Sequence, residues 1–145
     1  NVFGSSGGTQ NAGIIFGGSV DGGVGNAHGT TETYDGTSYS EVNDLISGKY
    51  AMGGWGTQNS AVSAGGSKDT YNNIIQETEV WNGTNWSEVN DLITSRGTVT
   101  GPIGLGHSSE AALAAGGVPS TPSVATEEWN GTNWTEVNNL NFEPI

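Results

Sequence analysis

Short runs of alternating small, apolar and polar residues follow one another along this chain, and most of them stop at glycine or asparagine. The middle third is the clearest. Residues from about Lys49 to Gly56 alternate small and apolar groups, and Ser60-Ala61-Val62-Ser63-Ala64 is an apolar run that ends at Gly65-Gly66. After a loop, Glu77-Thr78-Glu79-Val80-Trp81 forms a third run. Asn85-Trp86-Ser87-Glu88-Val89-Asn90 forms a fourth, with Trp86 and Glu88 on one side and Ser87 and Val89 on the other. A period of two predicts strands rather than helices. Asn82-Gly83, between the third and fourth runs, predicts a two-residue type I′ hairpin turn, because both of its central positions need positive φ.

The same wording occurs three times. Trp81 to Ile93 returns as Trp129 to Asn141 and appears earlier as Tyr34 to Ile46, at spacings of 48 and 47 residues. In the third copy the expected strands are Val99 to Gly106, Glu110 to Ala115, Thr126 to Trp129 and Asn133 to Leu140. In the first they are Ala12 to Phe16, Thr31 to Tyr34 and Ser38 to Leu45, with only the stub Asn1 to Gly4 as a first strand. Four short antiparallel strands repeated at this period predict an all-β fold, a β-propeller of four-stranded blades. The 145 residues read as a single propeller segment, with blade 1 at about 1–46, blade 2 at about 47–93 and blade 3 at about 94–145.

Particular residues carry a family resemblance. Each copy has an apolar strand ending in a double glycine: Gly17-Gly18, Gly65-Gly66 and Gly116-Gly117. Each then has an aromatic pair, Tyr34 and Tyr39, Trp81 and Trp86, Trp129 and Trp134, around the turn glycines Gly36, Gly83 and Gly131. This pattern resembles the kelch repeat of galactose-oxidase-type propellers, over nearly the whole chain. The Gly-, Asn- and Thr-rich wording also resembles the kelch-like propellers of bacteriophage tail and virion proteins.

Composition narrows the partners. Two Lys and one Arg stand against fifteen Asp and Glu, a net charge of −12. Nucleic-acid backbones are held by clustered cations, so nucleic acid is not an expected partner, and neither is an anionic membrane surface. No apolar run approaches the roughly 20 residues that span a bilayer. Without cysteine there is no disulfide, thiol nucleophile or zinc–cysteine site. The five Trp and four Tyr at repeating positions separate the chain from disordered glycine-rich segments.

Three blades do not close a ring, since propellers typically use four to eight. The two blade faces left open would be apolar partner surfaces. The expected partners are therefore other blades, from further copies of this chain or from the rest of a longer protein. Asn1 in place of an initiating Met, with the short first strand, points to a processed chain or a piece of something longer.

In such a fold the loops fall on two faces, and loops on a rigid scaffold carry function disproportionately. One face is expected to collect Asp21 and His28, then Lys68, Asp69, Tyr71, Asn72 and Asn73, with Lys49, Tyr50 and Arg96 from the blade junctions and the loop Val118 to Pro122. The other collects Trp55, Gln58, Asn59, His107 and the Asn-Gly turns. His28 has the chemistry of a metal ligand or base but also that of an ordinary loop histidine, and His107 lies too far away to share a metal with it. Tyr71 with Asn72 and Asn73 suits stacking on a sugar. Trp55 suits either stacking or packing. Glu32, Glu79 and Glu127 recur once per blade. They would either line the central channel as a structural Ca²⁺ site or, as we prefer, make blade-to-blade hydrogen bonds.

Enzyme readings lack parts. A galactose-oxidase-type copper site would need a Cys–Tyr crosslink, and sialidase-type propellers use three arginines where this chain has Arg96 alone. No nucleophile–base–orienter set is visible. The sequence therefore leads us to expect a non-catalytic propeller module of a virion, tail-fibre or extracellular structural protein, a scaffold that displays loops to a glycan or a cell-surface protein and has no cofactor. The alternative is a fragment of a carbohydrate-active propeller enzyme whose catalytic residues lie outside the chain.

Overall fold

The structure is a computed structural model, and it describes residues 4–20, 26–69, 73–97, 103–117 and 124–141. Twelve strands form three antiparallel four-stranded sheets, each in simple sequence order. The first holds β1 (Ser5–Thr9), β2 (Ala12–Phe16), β3 (Thr31–Tyr34) and β4 (Tyr39–Val42). The second holds β5 (Gly53–Thr57), β6 (Ser60–Ala64), β7 (Thr78–Trp81) and β8 (Trp86–Val89). The third holds β9 (Ile103–Ser108), β10 (Ala111–Ala115), β11 (Thr126–Trp129) and β12 (Trp134–Val137). The sheets stand side by side, β1 against β5 and β5 against β9, as three blades of an incomplete β-propeller.

The core lies between blades. Ile14, Phe16 and Leu45 of the first blade pack on Ala61, Trp81 and Trp86 of the second, with Met52 from the connector. Trp55, Val62, Ala64 and Leu92 then pack on Ala112, Ala114, Trp129 and Trp134 of the third. Both faces of the middle blade are thus covered, which explains why β6 is buried almost throughout and reads as a continuous apolar run.

Two expectations need correcting. The first blade has a complete inner strand: β1 pairs with β2 from Ser5↔Phe16 to Thr9↔Ala12. Ser-Ser-Gly-Gly-Thr shows no apolar alternation because the inner strands approach one another too closely for side chains there. A Cβ on Gly7 would lie 2.8 Å from the carbonyl oxygen of Gly56. Nor are the Asn-Gly pairs two-residue type I′ turns. Trp81 pairs directly with Trp86 across a four-residue loop, and of Asn82 and Gly83 only the glycine has positive φ, at 96°. The Asn82 side chain closes the loop by accepting from the amides of Thr84 at 2.9 Å and Asn85 at 2.8 Å. Asn130 does the same for Thr132 and Asn133. In the first blade Asp35 accepts from Thr37 and Ser38, both at 2.8 Å. These are Asx turns, in which a short side chain replaces the backbone acceptor.

Replacing Gly83 or Gly131 by Val should lower stability by roughly 1–3 kcal/mol, because a β-branched residue is strained at positive φ. The melting temperature of each variant checks this, and an unchanged value would refute the loop assignment. The turns also predict a difference in pH response. The amides of Ser38 and then Thr37 hold the Asp35 carboxyl below its ordinary value. A lowered folded-state pKa gives a stabilising contribution that is present above about pH 3.9 and is lost as pH falls through the lowered value. The amide resonances of Thr37 and Ser38 should therefore move on acidification, whereas those of Thr84 and Asn85, held by an uncharged Asn, should not. Asp35→Asn should abolish the difference.

Candidate functional site

Among the described residues the buried charged side chains, Lys49, Glu79, Arg96 and Glu127, gather at the two junctions between blades, and both junctions follow one plan. The double glycine closes each second strand, and all six of these residues have positive φ. The amide of the second glycine donates into the connector leaving that blade: Gly18 to the Lys49 carbonyl at 2.9 Å, Gly66 to the Arg96 carbonyl at 2.6 Å. The side chain of that connector residue then crosses to the next blade. Lys49 Nζ lies 2.7 Å from Glu79 Oε2, a close ionic contact without the alignment of a hydrogen bond. Arg96 donates to Glu127 Oε2 from Nε at 3.0 Å and from Nη2 at 2.7 Å. Its Nη1 donates to the carbonyls of Gly116 and Ala125, each at 2.7 Å. The other carboxylate oxygen accepts a connector amide, Ile46 to Glu79 and Ile93 to Glu127, both at 2.6 Å.

Lys49 and Arg96 were expected on a loop face, yet both are fully buried, at 0% exposure. Tyr50 is buried beside Lys49. Glu79 and Glu127 stand on third strands, not on the inner strands that would border a channel. Charges buried in this way require close partners, and these have them.

Smaller repeated contacts surround each latch. The Trp86 indole donates to Thr31 Oγ1 at 3.0 Å, and that of Trp134 to Thr78 Oγ1 at 3.1 Å, each reaching back to the preceding blade. Asn43 donates to the Thr84 carbonyl and Asn85 Oδ1, and Asn90 to the Thr132 carbonyl and Asn133 Oδ1. Within each outer hairpin the aromatic pair stacks at a tilt, Trp81 on Trp86 at 5.4 Å and Trp129 on Trp134 at 5.3 Å between centroids. Tyr34 and Tyr39 form the matching pair in the first blade.

Other expected site residues are scattered. Trp55 is 4% exposed and meets Trp134 edge-on, so it packs between blades instead of presenting a ring to solvent. His28 is half-buried, its Nδ1 accepting from the Thr30 amide and its backbone tied to Gly18 and Lys49. His107 lies in β9 by the first hairpin of its blade, at the other end of the strands from His28. Lys68 pairs with Glu77 at the rim, beside Asp69. Burial alone would raise the Glu77 carboxyl, but the hydrogen bond and charge of Lys68 bring it below its ordinary value. Asp21, Tyr71, Asn72 and the loop Val118 to Pro122 lie outside the described residues. Among the described residues no group of three or more His, Asp or Glu is placed to hold a metal ion.

The sequence did carry a signal for the latch. Lys49 and Arg96 each stand four residues after the leucine of the repeated wording, Leu45 and Leu92, and a glutamate recurs at one position per copy. Equal registers of opposite charge imply a pairing across copies.

No protein-family model matches the chain, and no curated protein matches it. Among solved structures, that of YjhT is similar with a TM-score of 0.65 and 12% identity over 94% of this chain. The chain spans 45% of the length of that structure. The likeness shows the fold, an all-β, unclosed β-propeller.

Replacing Arg96 by Met should lower stability by about 3–5 kcal/mol, because it leaves a buried carboxylate without its cation. Replacing Asn90 by Ala, which removes an exposed amide clasp, should cost only about 0.5–1.5 kcal/mol. Chemical denaturation of the two variants checks the order, and equal losses would refute the latch as the dominant contact.

Proposed function

We propose that the chain is a non-catalytic, kelch-like propeller module of an extracellular or virion structural protein, such as a bacteriophage tail fibre, which displays loops to a glycan or a cell-surface protein. One observation carries this reading: all three cations of the chain are engaged in ion pairs, two in the blade latches with Glu79 and Glu127 and one at the rim with Glu77. Charges held in structural pairs are not free to act on a substrate. The kelch-like part rests on the double glycines closing second strands and the aromatic pairs in the outer hairpins.

The loops differ where the strands do not. Between second and third strands the copies run Gly18 to Thr30, Gly66 to Glu77 and Gly117 to Ala125, unlike in sequence and length. Variation on a repeated frame is how a scaffold acquires distinct contacts without altering its core. The strongly acidic surface favours neutral or cationic partners over phosphate-bearing ones.

A glycan array probed with the 145-residue chain, followed by incubation with any sugar retained, tests the reading. The expected result is retention without chemical change, lost when residues 68–76 are exchanged for the shorter loop of the third copy. Hydrolysis or oxidation of a carbohydrate by this chain would overturn it and favour a propeller enzyme.

A further inference from the structure

Each junction joins an outgoing face to an incoming one, so the first blade retains an incoming face with its half of a latch. Glu32 matches Glu79 and Glu127 in register, pairing with Glu41 as they do with Glu88 and Glu136. It is half-buried and has no ion-pair partner among the described residues. The carbonyls of Gly17 and Thr30 occupy the positions of those of Gly116 and Ala125, the two acceptors of Arg96 Nη1. The Thr37 carbonyl stands where Thr84 and Thr132 receive Asn43 and Asn90. Tyr39 is 57% exposed where its counterparts Trp86 and Trp134 are buried beneath the preceding blade.

We propose that this face is the docking site for a propeller blade whose connector carries Lys or Arg four residues after its fourth-strand leucine, and that a second copy of this chain is not that partner. The inference stands on the open ring and does not depend on the non-catalytic reading. Its first support is continuity with the two junctions just described. Its second is charge. Leu140 is followed by Asn141-Phe142-Glu143-Pro144, so this chain's third copy has proline where the earlier copies have Lys49 and Arg96, and an acid beside it in sequence. A second copy docked there would bury Glu32 without a cation, which is the arrangement that most penalises a buried carboxylate. A blade bearing Lys or Arg supplies the missing charge, and Arg supplies the donor for the two carbonyls as well.

The test gives the chain the connector it lacks. Asn141→Ile, Phe142→Thr, Glu143→Ser and Pro144→Arg together install the connector of the second copy. Sedimentation should show the parent chain associating weakly or not at all through this face, and the variant associating head to tail at least tenfold more tightly. Adding Glu32→Gln should remove that gain. The chain has no cysteine, so Thr37→Cys with Asn138→Cys reports the register directly. An interchain disulfide should form in the variant and not in the parent. A variant that gains nothing, a gain that survives Glu32→Gln, or a parent that associates and cross-links as readily as the variant would each overturn the proposal.

Discussion

A buried carboxylate on a third strand, met by a cation from the connector of the preceding blade, is the constraint around which this structure is arranged. Glu79 and Glu127 are enclosed almost completely, so each needs both a charge and a donor, and the connector brings both: the Ile46 or Ile93 amide and the Lys49 or Arg96 side chain. To deliver them the connector must leave its own blade at a fixed point. The double glycine fixes that point by donating an amide to the carbonyl of the cationic residue. Two glycines, a lysine or arginine, and a glutamate therefore act as one unit spread over two blades.

Apolar burial contributes more area, but it is less particular about position. Tryptophan stacking within the outer hairpins and the mixed cores between blades would tolerate some sliding of one sheet over another. The ion pair would not, because a shift of an ångström or two uncovers a desolvated charge. Hydrophobic contact supplies the attraction between blades, and the latch sets their register. The two latches are not equivalent: Arg96 is aligned with Glu127 and satisfies two further carbonyls, whereas Lys49 offers a point charge.

The outer hairpins were legible in the sequence because their rules are local. An aromatic pair, an Asx residue and a glycine within a few positions determine strand, loop and return. The inner strands were less legible. Close approach around the axis removes the side chains that would advertise a strand, as Ser5 to Thr9 shows. Lys49 and Arg96 were misplaced for a similar reason: a lone cation beside glycine or serine has the appearance of a solvated loop, and its partner lies some thirty residues on, in another copy. Trp55 was ambiguous because stacking on a ligand and packing on Trp134 demand the same side chain.

The latch has a consequence for how such a chain can be inherited. Any segment one period long contains one latch carboxylate and one latch cation, from the same junction or from neighbouring ones depending on where it is cut. Duplicating that segment in tandem adds one whole latch per copy, within the copy or across its boundary, so the array can lengthen by simple recombination without inventing an interface. The reverse holds for drift. A change at one cation must be answered in a different copy, so copies that diverge independently, as the final connector with Pro144 has, cease to be interchangeable and acquire a fixed place in the order.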